Sequence, residues 1–570
     1  MITVIFFWIY SLVLFYLYGW FVVRLLERLF GMHDAHLPAP PIVWTAGLCA
    51  VGTLASLLSL FIEMGLLAHV ILLGGALIIL LWGRSQGGLQ LLADLKGIPL
   101  LGWVLLGVTL LTLLVVSTGT PANPDSGIYH AQAIRWIETY RAVPGLGNIH
   151  TRFVYNSSWM VLNALMSFSF LGLRSLHLLP SAFFLVMVWY VFEGAVRLLR
   201  GAARPSDWVR ILLLPLAFFA LGSEVASPGT DFPAALLAWF VLVEWMAVLE
   251  DPESKRGIRP VLLVVLAAFA VTVKLSNFPL LLVALFPFIQ WLRRRNLAAV
   301  GWLALLGLAV VSPWLIRNVV ISGYLVYPVP EIDLFNFDWE IPREICIEDR
   351  ETALAWARTM HPWQTNADVL NAPLKKWARW WFTALTLNQR GMVVFAALAP
   401  LGYALAALTS RRIRSALKQL LRYAPVVAVA YAGLIYWFFS APKIRYGYGF
   451  LLIGLSLILM PLMLLAQRIL NFKPRLFPVM LTLILVAYQG FVLFRAVDSE
   501  LFSQRWALPA DYPTLPTQPC DIRDGKTLWC AELYETCWYD PFPCVPHADQ
   551  AVGPRGKDNA DGFRNYDLIQ

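Results

Sequence analysis

Apolar stretches of about 20 residues recur along the whole chain, and short polar loops separate them. A helix of that length crosses the hydrocarbon core of a bilayer, so the pattern predicts an all-α polytopic membrane protein with about 14 transmembrane helices. The predicted spans cover residues 2–23, 41–61, 66–82, 98–117, 175–199, 209–222, 231–249, 260–275, 278–292, 297–319, 391–409, 424–441, 447–467 and 476–495. The first has no basic n-region and no small-residue cleavage site, which predicts a retained helix and not a signal peptide.

Basic residues cluster in the short loops between these spans. If segment 158–174 forms an interfacial or re-entrant helix, all the clusters fall on one side, which the positive-inside rule predicts to be cytoplasmic. They comprise Arg24 and Arg28; Arg84 and Lys96; Arg200, Arg204 and Arg210; Lys255, Arg256 and Arg259; Arg293, Arg294 and Arg295; Arg411, Arg412, Arg414, Lys418 and Arg422; and Arg468, Lys473 and Arg475.

Three large segments and both chain ends remain on the opposite, outer side. The chain accordingly divides into N-terminal transmembrane helices (1–97), a transmembrane core (98–319) with a large outer loop (118–174), a second large outer loop (320–390), C-terminal transmembrane helices (391–495) and a cysteine-rich outer tail (496–570).

Composition agrees with this architecture, because 59% of the residues are hydrophobic and only 14% are charged. Soluble domains average about 25% charged residues. The formal net charge of +9 is not a nucleic-acid signature, since the basic residues are confined to short loops. No segment resembles a nucleic-acid-binding module, so no nucleic-acid partner is expected.

Four of the six cysteines lie in the tail, at positions without the close CxxC pairs of a zinc site: Cys520, Cys530, Cys537 and Cys544. Two disulfides are the simpler interpretation and require an oxidising compartment, with three pairings open. Because the rest of the tail is rich in Pro, Gly, Asp and Asn, we expect an irregular stapled cap with a disordered end.

The first outer loop places a carboxylate, Asp125, just before a predicted helix from Ser126 to Tyr140. Asp125 either caps that helix or acts at the outer membrane surface as a general base for an acceptor hydroxyl. For His130, a hydrogen bond to an amide or hydroxyl is favoured over catalysis, and substrate binding is its candidate role. Glu138 and Arg141 suit a solvated pair. One helix face suits the membrane interface: Tyr129, Ala133, Trp136 and Tyr140.

Further ionisable residues lie at or inside the outer ends of the predicted spans: Glu224, Asp231, Lys274, Arg317, Lys443 and Arg445. Charge at such depth is costly and usually pairs or lines a cavity. Lys274 and Arg317 either clasp a phosphate or snorkel to the interface. Asp231 either joins this site or caps the helix that follows it.

The late segment SAPKIRYGYGF forms a basic and aromatic patch that opposes the positive-inside trend. Either Lys443, Arg445 and Tyr446 bind an anion such as a lipid phosphate, or the patch forms a local pair with an acidic residue such as Asp498 or Glu500. The chain has no P-loop, GxSxG, HExxH or GxGxxG motif, and its first outer loop has no DxD pair. We therefore expect no cofactor, and a divalent metal is not favoured.

Residues 124–159, PDSGIYHAQAIRWIETYRAVPGLGNIHTRFVYNSSW, resemble the signature of a poorly characterised bacterial GT-C-like membrane family, D-T-G-x-Y-H followed by V-P-G-L-G-N and F-N-S-S-W. SAPKIRYGYGF is similar to that family's late P-x-x-R-[FY]-G element. The resemblance covers residues 98 to about 495 and extends to the GT-C superfamily of polytopic glycosyltransferases, which use lipid-phosphate-linked sugars.

The resemblance implies an inverting glycosyltransferase of the bacterial inner membrane with a periplasmic site. Asp125 would be the base, and Lys274, Arg317, Lys443 and Arg445 would contact the donor phosphate. The single Asp resembles metal-independent members with a polyprenyl-monophosphate donor, and the acceptor would be a glycan, lipid or protein. Loop 320–390 would cover the site with Trp356, His361, Trp363, Trp377, Trp380 and Trp381, although residues 375–381 equally suit an interfacial aromatic belt.

Two other functional classes remain open. A flippase or transporter of lipid-linked sugars also has many spans, but it predicts an internal repeat and charges near the bilayer midplane, whereas the charges here cluster at one interface. A polymerase or ligase of surface polysaccharide would carry its arginines and histidine in a long late outer loop, and the late loop here is short.

Overall fold

The computed structural model describes residues 1–32, 37–85, 98–172, 174–358, 361, 363–409, 411–469 and 476–569. The α-helices in these ranges are Ile2–Leu29 (α1), Pro40–Leu58 (α2), Leu66–Ser85 (α3), Leu100–Val116 (α4), Ala131–Thr139 (α5), Ser158–Met166 (α6), Leu179–Leu199 (α7), Pro205–Leu221 (α8), Asp231–Glu250 (α9), Arg259–Val273 (α10), Leu285–Arg293 (α11), Leu297–Ser322 (α12), Arg343–Ala357 (α13), Asn366–Leu370 (α14), Leu374–Ala384 (α15), Leu387–Thr409 (α16), Arg411–Leu420 (α17), Ala424–Ser440 (α18), Ile444–Ile469 (α19), Leu476–Ala496 (α20) and Glu500–Ser503 (α21). The π-helical turn Ser126–His130 leads into α5, and the 3-10 segment Leu275–Ala284 leads into α11.

Among the described residues, 11 helices are long and apolar enough to cross a membrane. Nine of them are the helices α1, α2, α3, α7, α9, α12, α16, α19 and α20. The other two are the continuous segment Leu275–Arg293 and the segment Leu421–Ser440, which contains α18. The other predicted spans, 98–117, 209–222 and 260–275, coincide with helices of 17, 17 and 15 residues. The chain is therefore a helical, multi-pass membrane protein, as predicted.

Contacts between helix ends define two faces. On the face that carries the basic clusters, here called the basic face, Arg197 at the end of α7 pairs with Asp207 at the start of α8, with 2.7 Å between nitrogen and oxygen. Ser206 and Tyr423 both donate to Glu250 at the end of α9, at 2.6 and 2.8 Å. Lys96, Lys473, Arg475 and the predicted domain boundary at residue 97 lie outside the described residues.

The large segments 118–174, 320–390 and 496–570 contact one another on the opposite face, here called the loop face. The amino group of Met1 donates to the carbonyl oxygen of Trp506 at 2.8 Å, and Ala510 N donates to Thr118 O at 2.9 Å. The chain start therefore lies beside the tail, on the side predicted for it.

Segment 158–174 begins and ends on the loop face. Ser56, near the loop-face end of α2, donates to Ser158 Oγ at 3.1 Å, and Leu176 N returns to Ser167 O at 2.8 Å. Helix α6 has nine residues, all of them buried. It is too short to cross a bilayer, which needs about 20 residues, and it lies within the protein as the charge pattern requires.

The tail is more ordered than its composition predicts. It forms a three-stranded sheet and a two-stranded sheet from strands Thr517–Asp521 (β1), Thr527–Ala531 (β2), Cys544–Val545 (β3), Val552–Pro554 (β4) and Phe563–Asn565 (β5). Strand β2 pairs antiparallel with β1 and parallel with β3. The two predicted disulfides are confirmed, and they join Cys520 to Cys530 and Cys537 to Cys544. The expectation of an irregular cap is wrong, because the tail contains two hydrogen-bonded sheets, and the first disulfide joins the paired strands β1 and β2.

The tail covers α5. The prediction that one face of this helix lies at the membrane interface is therefore wrong. Trp136 is 1% exposed and packs edge-to-face on Phe542 and Phe563, with ring centroids 4.9 and 5.9 Å away. These aromatic partners come from the tail and not from lipid. The helical spacing identified an apolar face correctly, but a distant segment of the same chain buries it.

The suggested solvated pair of Glu138 and Arg141 is also not observed. Glu138 is buried and accepts hydrogen bonds from Ser175 Oγ at 2.8 Å and from Tyr539 Oη at 2.6 Å. Burial raises the pKa of Glu138, and the hydrogen bonds that it accepts oppose that rise. The carboxyl group joins the first outer loop to the tail.

Candidate active site on the loop face

Four charged side chains from distant parts of the sequence meet on the loop face. Asp125 follows α4, Asp231 begins α9, Lys274 directly follows α10, and Arg445 is the second residue of α19. Arg445 forms an ion pair with Asp125 through Nη2, and its Nε lies 3.3 Å from Asp231 Oδ2. Lys274 forms an ion pair with the other oxygen of Asp231. Acidic and basic side chains thus alternate in the order Asp125, Arg445, Asp231, Lys274. These four residues are here called the charge cluster.

The charge cluster is partly shielded from solvent. The side chains of Asp125 and Arg445 are 16% and 20% exposed, and that of Asp231 is 6% exposed. The Nε donor of Arg445 is buried and finds no well-aligned acceptor among the described residues. The attraction between opposite charges is stronger in such a setting than at a surface. Because the Nε–H of Arg445 makes no well-aligned hydrogen bond, it can still donate one to an anionic ligand.

Aromatic rings and a further cation border the cluster. Lys274 Nζ lies 4.0 Å from the ring centroid of Tyr446, and Lys443 Nζ lies 3.9 Å from that of Trp356 on α13. Lys443 forms no ion pair with any described residue. Burial lowers the pKa of Lys443, and the adjacent Arg445 lowers it further. Loop 320–390 therefore reaches the site through Trp356.

Glu224 and His130 meet at Gly229, next to the charge cluster. Glu224 accepts a hydrogen bond of 2.6 Å from Asn123 Nδ2, and the amide oxygen of Asn123 accepts from Asp125 N at 2.9 Å. A Cβ atom on Gly229 would lie 3.0 Å from Asn123 Nδ2 and 3.5 Å from both Glu224 Oε2 and His130 Cε1. A glycine at position 229 therefore leaves space for the side chains of Asn123, Glu224 and His130.

Burial shifts the pKa values of the two titratable groups at Gly229 in opposite directions. Burial raises the pKa of Glu224, and the hydrogen bond from Asn123 opposes that rise. Burial lowers the pKa of His130 to about 4. His130 Nδ1 lies 3.3 Å from Ser126 Oγ, as the hydroxyl-bonded interpretation predicted, but its Nε2 is buried without a partner among the described residues.

The helix-capping roles weighed for Asp125 and Asp231 are not observed. Asp125 precedes the helical turn but makes no capping hydrogen bond with its side chain. Asp231 is ion-paired and is the first residue of its helix, not its cap. Arg445 does pair with acidic residues, but its partners are Asp125 and Asp231, whereas Asp498 pairs with Arg505.

Arg317 lies apart from the charge cluster. Its side chain is buried, its Nη1 donates to Ser59 Oγ at 3.2 Å, and it forms no ion pair within the described ranges. It neither snorkels to the surface nor contacts the other predicted phosphate ligands. Conversely, Asn123 and Arg152 were not predicted. Burial lowers the pKa of Arg152, but nearby groups that include Tyr155 and Asp125 raise it by more. The sequence around Arg152, T-R-F-V, contains no feature that predicts this.

The donor set does not suggest a metal centre. No group of three or more His, Cys, Asp or Glu residues that could hold a metal ion occurs in the described part of the chain. Both aspartates of the charge cluster already neutralise cationic side chains. The arrangement instead suits an anionic ligand that competes with these carboxylates for Arg445 and Lys274, assisted by Lys443.

A family model described as "Domain of unknown function (DUF8201)" matches residues 1–452. The chain belongs to this family. No curated protein matches the chain. The DUF8201 match includes every residue of the charge cluster, and it ends before the disulfide-linked tail begins. The site is therefore part of the DUF8201 region, whereas the tail that buries α5 lies beyond the matched residues.

Proposed function

We propose that this DUF8201 protein is a membrane glycosyltransferase that transfers a sugar from a polyprenyl-phosphate donor to an acceptor hydroxyl. The charge cluster is the observation that carries this proposal, because it combines a carboxylate with cations at the loop-face ends of membrane helices. In this proposal the chain crosses a bacterial inner membrane about 14 times, with the basic face in the cytoplasm and the loop face in the periplasm.

Donor binding would rearrange the ion pairs. The donor phosphate replaces the carboxylates as the partner of Arg445 and Lys274, which frees Asp125 from Arg445. Lys443, the unpaired cation beside the cluster, adds to the positive potential at the phosphate. This exchange links donor binding to the release of the base, so Asp125 becomes active only when the donor is present.

The chemical step follows from these positions. Asp125 accepts the proton of the acceptor hydroxyl, whose oxygen attacks the anomeric carbon and forms the new glycosidic bond. The bond between that carbon and the phosphate oxygen breaks, and its electron pair leaves on the polyprenyl phosphate. Attack opposite the leaving group inverts the anomeric configuration. Arg445 and Lys274 stabilise the charge that develops on the phosphate. No metal or cofactor takes part.

The surrounding residues provide substrate contacts. Trp356 lies over Lys443 and is 41% exposed, so its ring is available as a stacking surface for a sugar. His130 and Glu224, which lie beside the cluster at Gly229, are suited to hydrogen bonds with sugar hydroxyls. Lining by hydrogen-bonding side chains on one side and cations on the other matches a ligand with a sugar and an anionic phosphate.

The experiment is transfer by the purified protein with a panel of synthetic polyprenyl-phosphate sugars, followed by mass spectrometry. We expect release of polyprenyl phosphate with at least one sugar, and loss of donor binding in the Arg445→Gln variant. An Arg350→Gln variant, on an exposed ion pair with Glu331, is the matched control. Failure of every donor to bind or react would contradict the proposal, and sugar-lipid movement in proteoliposomes without transfer would favour a flippase.

A further inference from the structure

A second polar site lies on the basic face, at the opposite end of the helices from the charge cluster. It is a cavity of about 400 Å³ bordered by the residues that precede α2, the end of α7, the start of α8, the end of α9 and the start of α10. None of its residues belongs to the charge cluster or contacts it. The cavity therefore requires an explanation of its own, independent of the proposed glycosyl transfer.

Two ion pairs form the wall of the cavity and are complete in themselves. Asp207 accepts from Arg197 at 2.7 and 3.0 Å and from the backbone N of Arg204 at 2.9 Å. Glu244 accepts from Arg259 Nε at 2.7 Å and from Tyr190 Oη at 3.1 Å. These acids and bases neutralise each other, so they need no ligand.

The side chains of Arg210 and Glu193, in the same wall, have no hydrogen-bond partner among the described residues. Arg210 is 5% exposed and stacks on Tyr190, with its guanidinium carbon 3.9 Å from the ring centroid. Its nitrogens lie 3.7 to 3.9 Å from the oxygens of three carboxylates, those of Glu193, Asp207 and Glu244, which is beyond hydrogen-bond length. It donates no hydrogen bond to any described residue, and its Nε is fully buried. Glu193 likewise accepts none within the described ranges.

A buried guanidinium donor without an acceptor is costly, and the Nε–H of Arg210 has lost water without gaining a well-aligned acceptor among the described residues. Here the donors of Arg210 and the acceptor oxygens of Glu193 face each other across a gap of 3.9 Å beside an open volume. A ligand that accepts from Arg210 and donates to Glu193 would satisfy both.

The surrounding charge selects the ligand. A purely anionic group at Arg210 would be repelled by Glu193, the one carboxylate of the three that no other arginine pairs with, and a purely cationic group at Glu193 would meet Arg210. A group with both charges meets neither penalty. Arg204 and Glu253, both exposed at the cavity, repeat the same combination of signs. Leu37 and Ile42 add an apolar side at the level of the helix ends, where lipid headgroups lie.

We propose that this cavity binds a zwitterionic phosphoethanolamine group, with a phosphate oxygen accepting from Arg210 and the ammonium donating to Glu193. Such a group occurs both as a phospholipid headgroup and in soluble compounds such as glycerophosphoethanolamine. The chemistry is the same in both cases, and the experiment separates the two sources.

The test measures binding to delipidated, detergent-purified protein by native mass spectrometry. The probes are phosphatidylethanolamine, phosphatidylcholine and phosphatidylglycerol, together with glycerophosphoethanolamine. We expect phosphatidylethanolamine to bind at least tenfold more tightly than phosphatidylcholine, whose trimethylammonium has no N–H to donate to Glu193. Phosphatidylglycerol, with a net negative charge, should also bind at least tenfold more weakly.

The Glu193→Gln variant should lose the preference for ethanolamine, and it does not depend on the folding of a riskier Arg210→Gln variant. Glu331→Gln, the same chemical change on an exposed loop-face residue, should keep that preference. Equal binding of ethanolamine and choline lipids, or an unchanged preference in Glu193→Gln, would overturn the proposal. Tight binding of glycerophosphoethanolamine would assign a soluble source, and binding of the diacyl lipid alone would assign the membrane.

Discussion

At the scale of single residues, Arg445 is the side chain that connects the site. It lies between the carboxylates of Asp231, on α9, and Asp125, in the loop after α4. Without Arg445, these two carboxylates would lie near each other with no cation between them. Arg445 therefore has a structural role besides the donor-binding role proposed for it, because two partly buried acids repel each other when their shared cation is removed.

We therefore expect Arg445→Gln to lower stability by about 3 kcal/mol, as for other buried pairs that lose one partner. Thermal unfolding in detergent measures this change. The double variant Asp125→Asn with Arg445→Gln should recover part of the loss, since it removes one of the two unpaired acids. A double variant no more stable than Arg445→Gln would show that Asp125 and Arg445 do not interact.

His130 predicts a pH dependence of stability. Burial lowers the pKa of its imidazole from 6.5 to about 4, so the unfolded chain binds more protons than the folded chain between these values. The folded state then loses stability as pH falls through this window and is unaffected above it. The difference corresponds to about 3 kcal/mol at full effect.

The unfolding temperature of the wild type should fall between pH 6.5 and 4, and His130→Asn should reduce that fall. His150 and His177, whose pKa values burial lowers to about 3 and about 4, act with the same sign and should leave a remainder. His361→Gln is the control, because that ring stacks on Trp363 near the surface. An identical pH profile in His130→Asn would contradict this account.

The residues of the charge cluster were predictable because ionised groups at the ends of apolar spans are costly and need partners. The pairing of these residues could not be predicted, because Asp125 and Arg445 are 320 positions apart in the sequence and no local sequence pattern connects them. Asn123 and Arg152 were missed for the opposite reason. Polar side chains in a polar loop carry no energetic signal until the fold brings a carboxylate beside them.

At the scale of elements, the tail and α5 act as one unit. Gln132 is fully buried, donates to the carbonyl oxygens of Trp538, Tyr539 and Pro541 at 3.0, 3.1 and 2.8 Å, and accepts from Cys544 N at 3.0 Å. One side chain thus satisfies four backbone groups of the loop that the second disulfide closes.

Replacing Gln132 by Ala should cost about 3 kcal/mol, because several buried backbone groups would lose their partner at about 1 kcal/mol each. The tail should become sensitive to protease at the same time, which limited proteolysis followed by mass spectrometry would detect. Gln518→Ala changes an exposed residue of β1 and should leave both properties unaltered. A Gln132→Ala protein with a wild-type cleavage pattern would contradict the role of this residue.

The position of the helices followed from the sequence because a membrane span requires a long apolar run, and such runs are hard to mistake. The tail did not. Strands β3, β4 and β5 have only two or three residues, too few for an alternating pattern to appear. The burial of Trp136 depends on Phe542 and Phe563, more than 400 positions away in the sequence.

At the scale of the whole molecule, the two faces differ in chemistry. The basic face carries short loops, ion pairs between helix ends and the cavity at Arg210. The loop face carries the long segments, the disulfides and the charge cluster. Disulfides persist in oxidising compartments and basic loops remain in the cytoplasm, so both features predict the same orientation.

Labelling with a membrane-impermeant maleimide tests this orientation. A cysteine at Trp363, which is 78% exposed on the loop face, should react in intact cells. A cysteine at Arg294, exposed on the basic face, should react only after the inner membrane is permeabilised. The native thiols Cys49 and Cys346 are buried and give a low background. The reverse pattern of labelling would place the charge cluster in the cytoplasm and exclude a periplasmic site.

The central claim is that Asp125 is the base of a sugar transfer, and single-turnover transfer by Asp125→Asn tests it most directly. With a polyprenyl-phosphate sugar that the wild type uses, the variant should bind the donor but react more slowly by a factor on the order of 100 or more. Asp338→Asn, at an exposed aspartate paired with Arg555, should react at the wild-type rate. Transfer by Asp125→Asn at the wild-type rate would show that Asp125 is a structural partner of Arg445 and not the base.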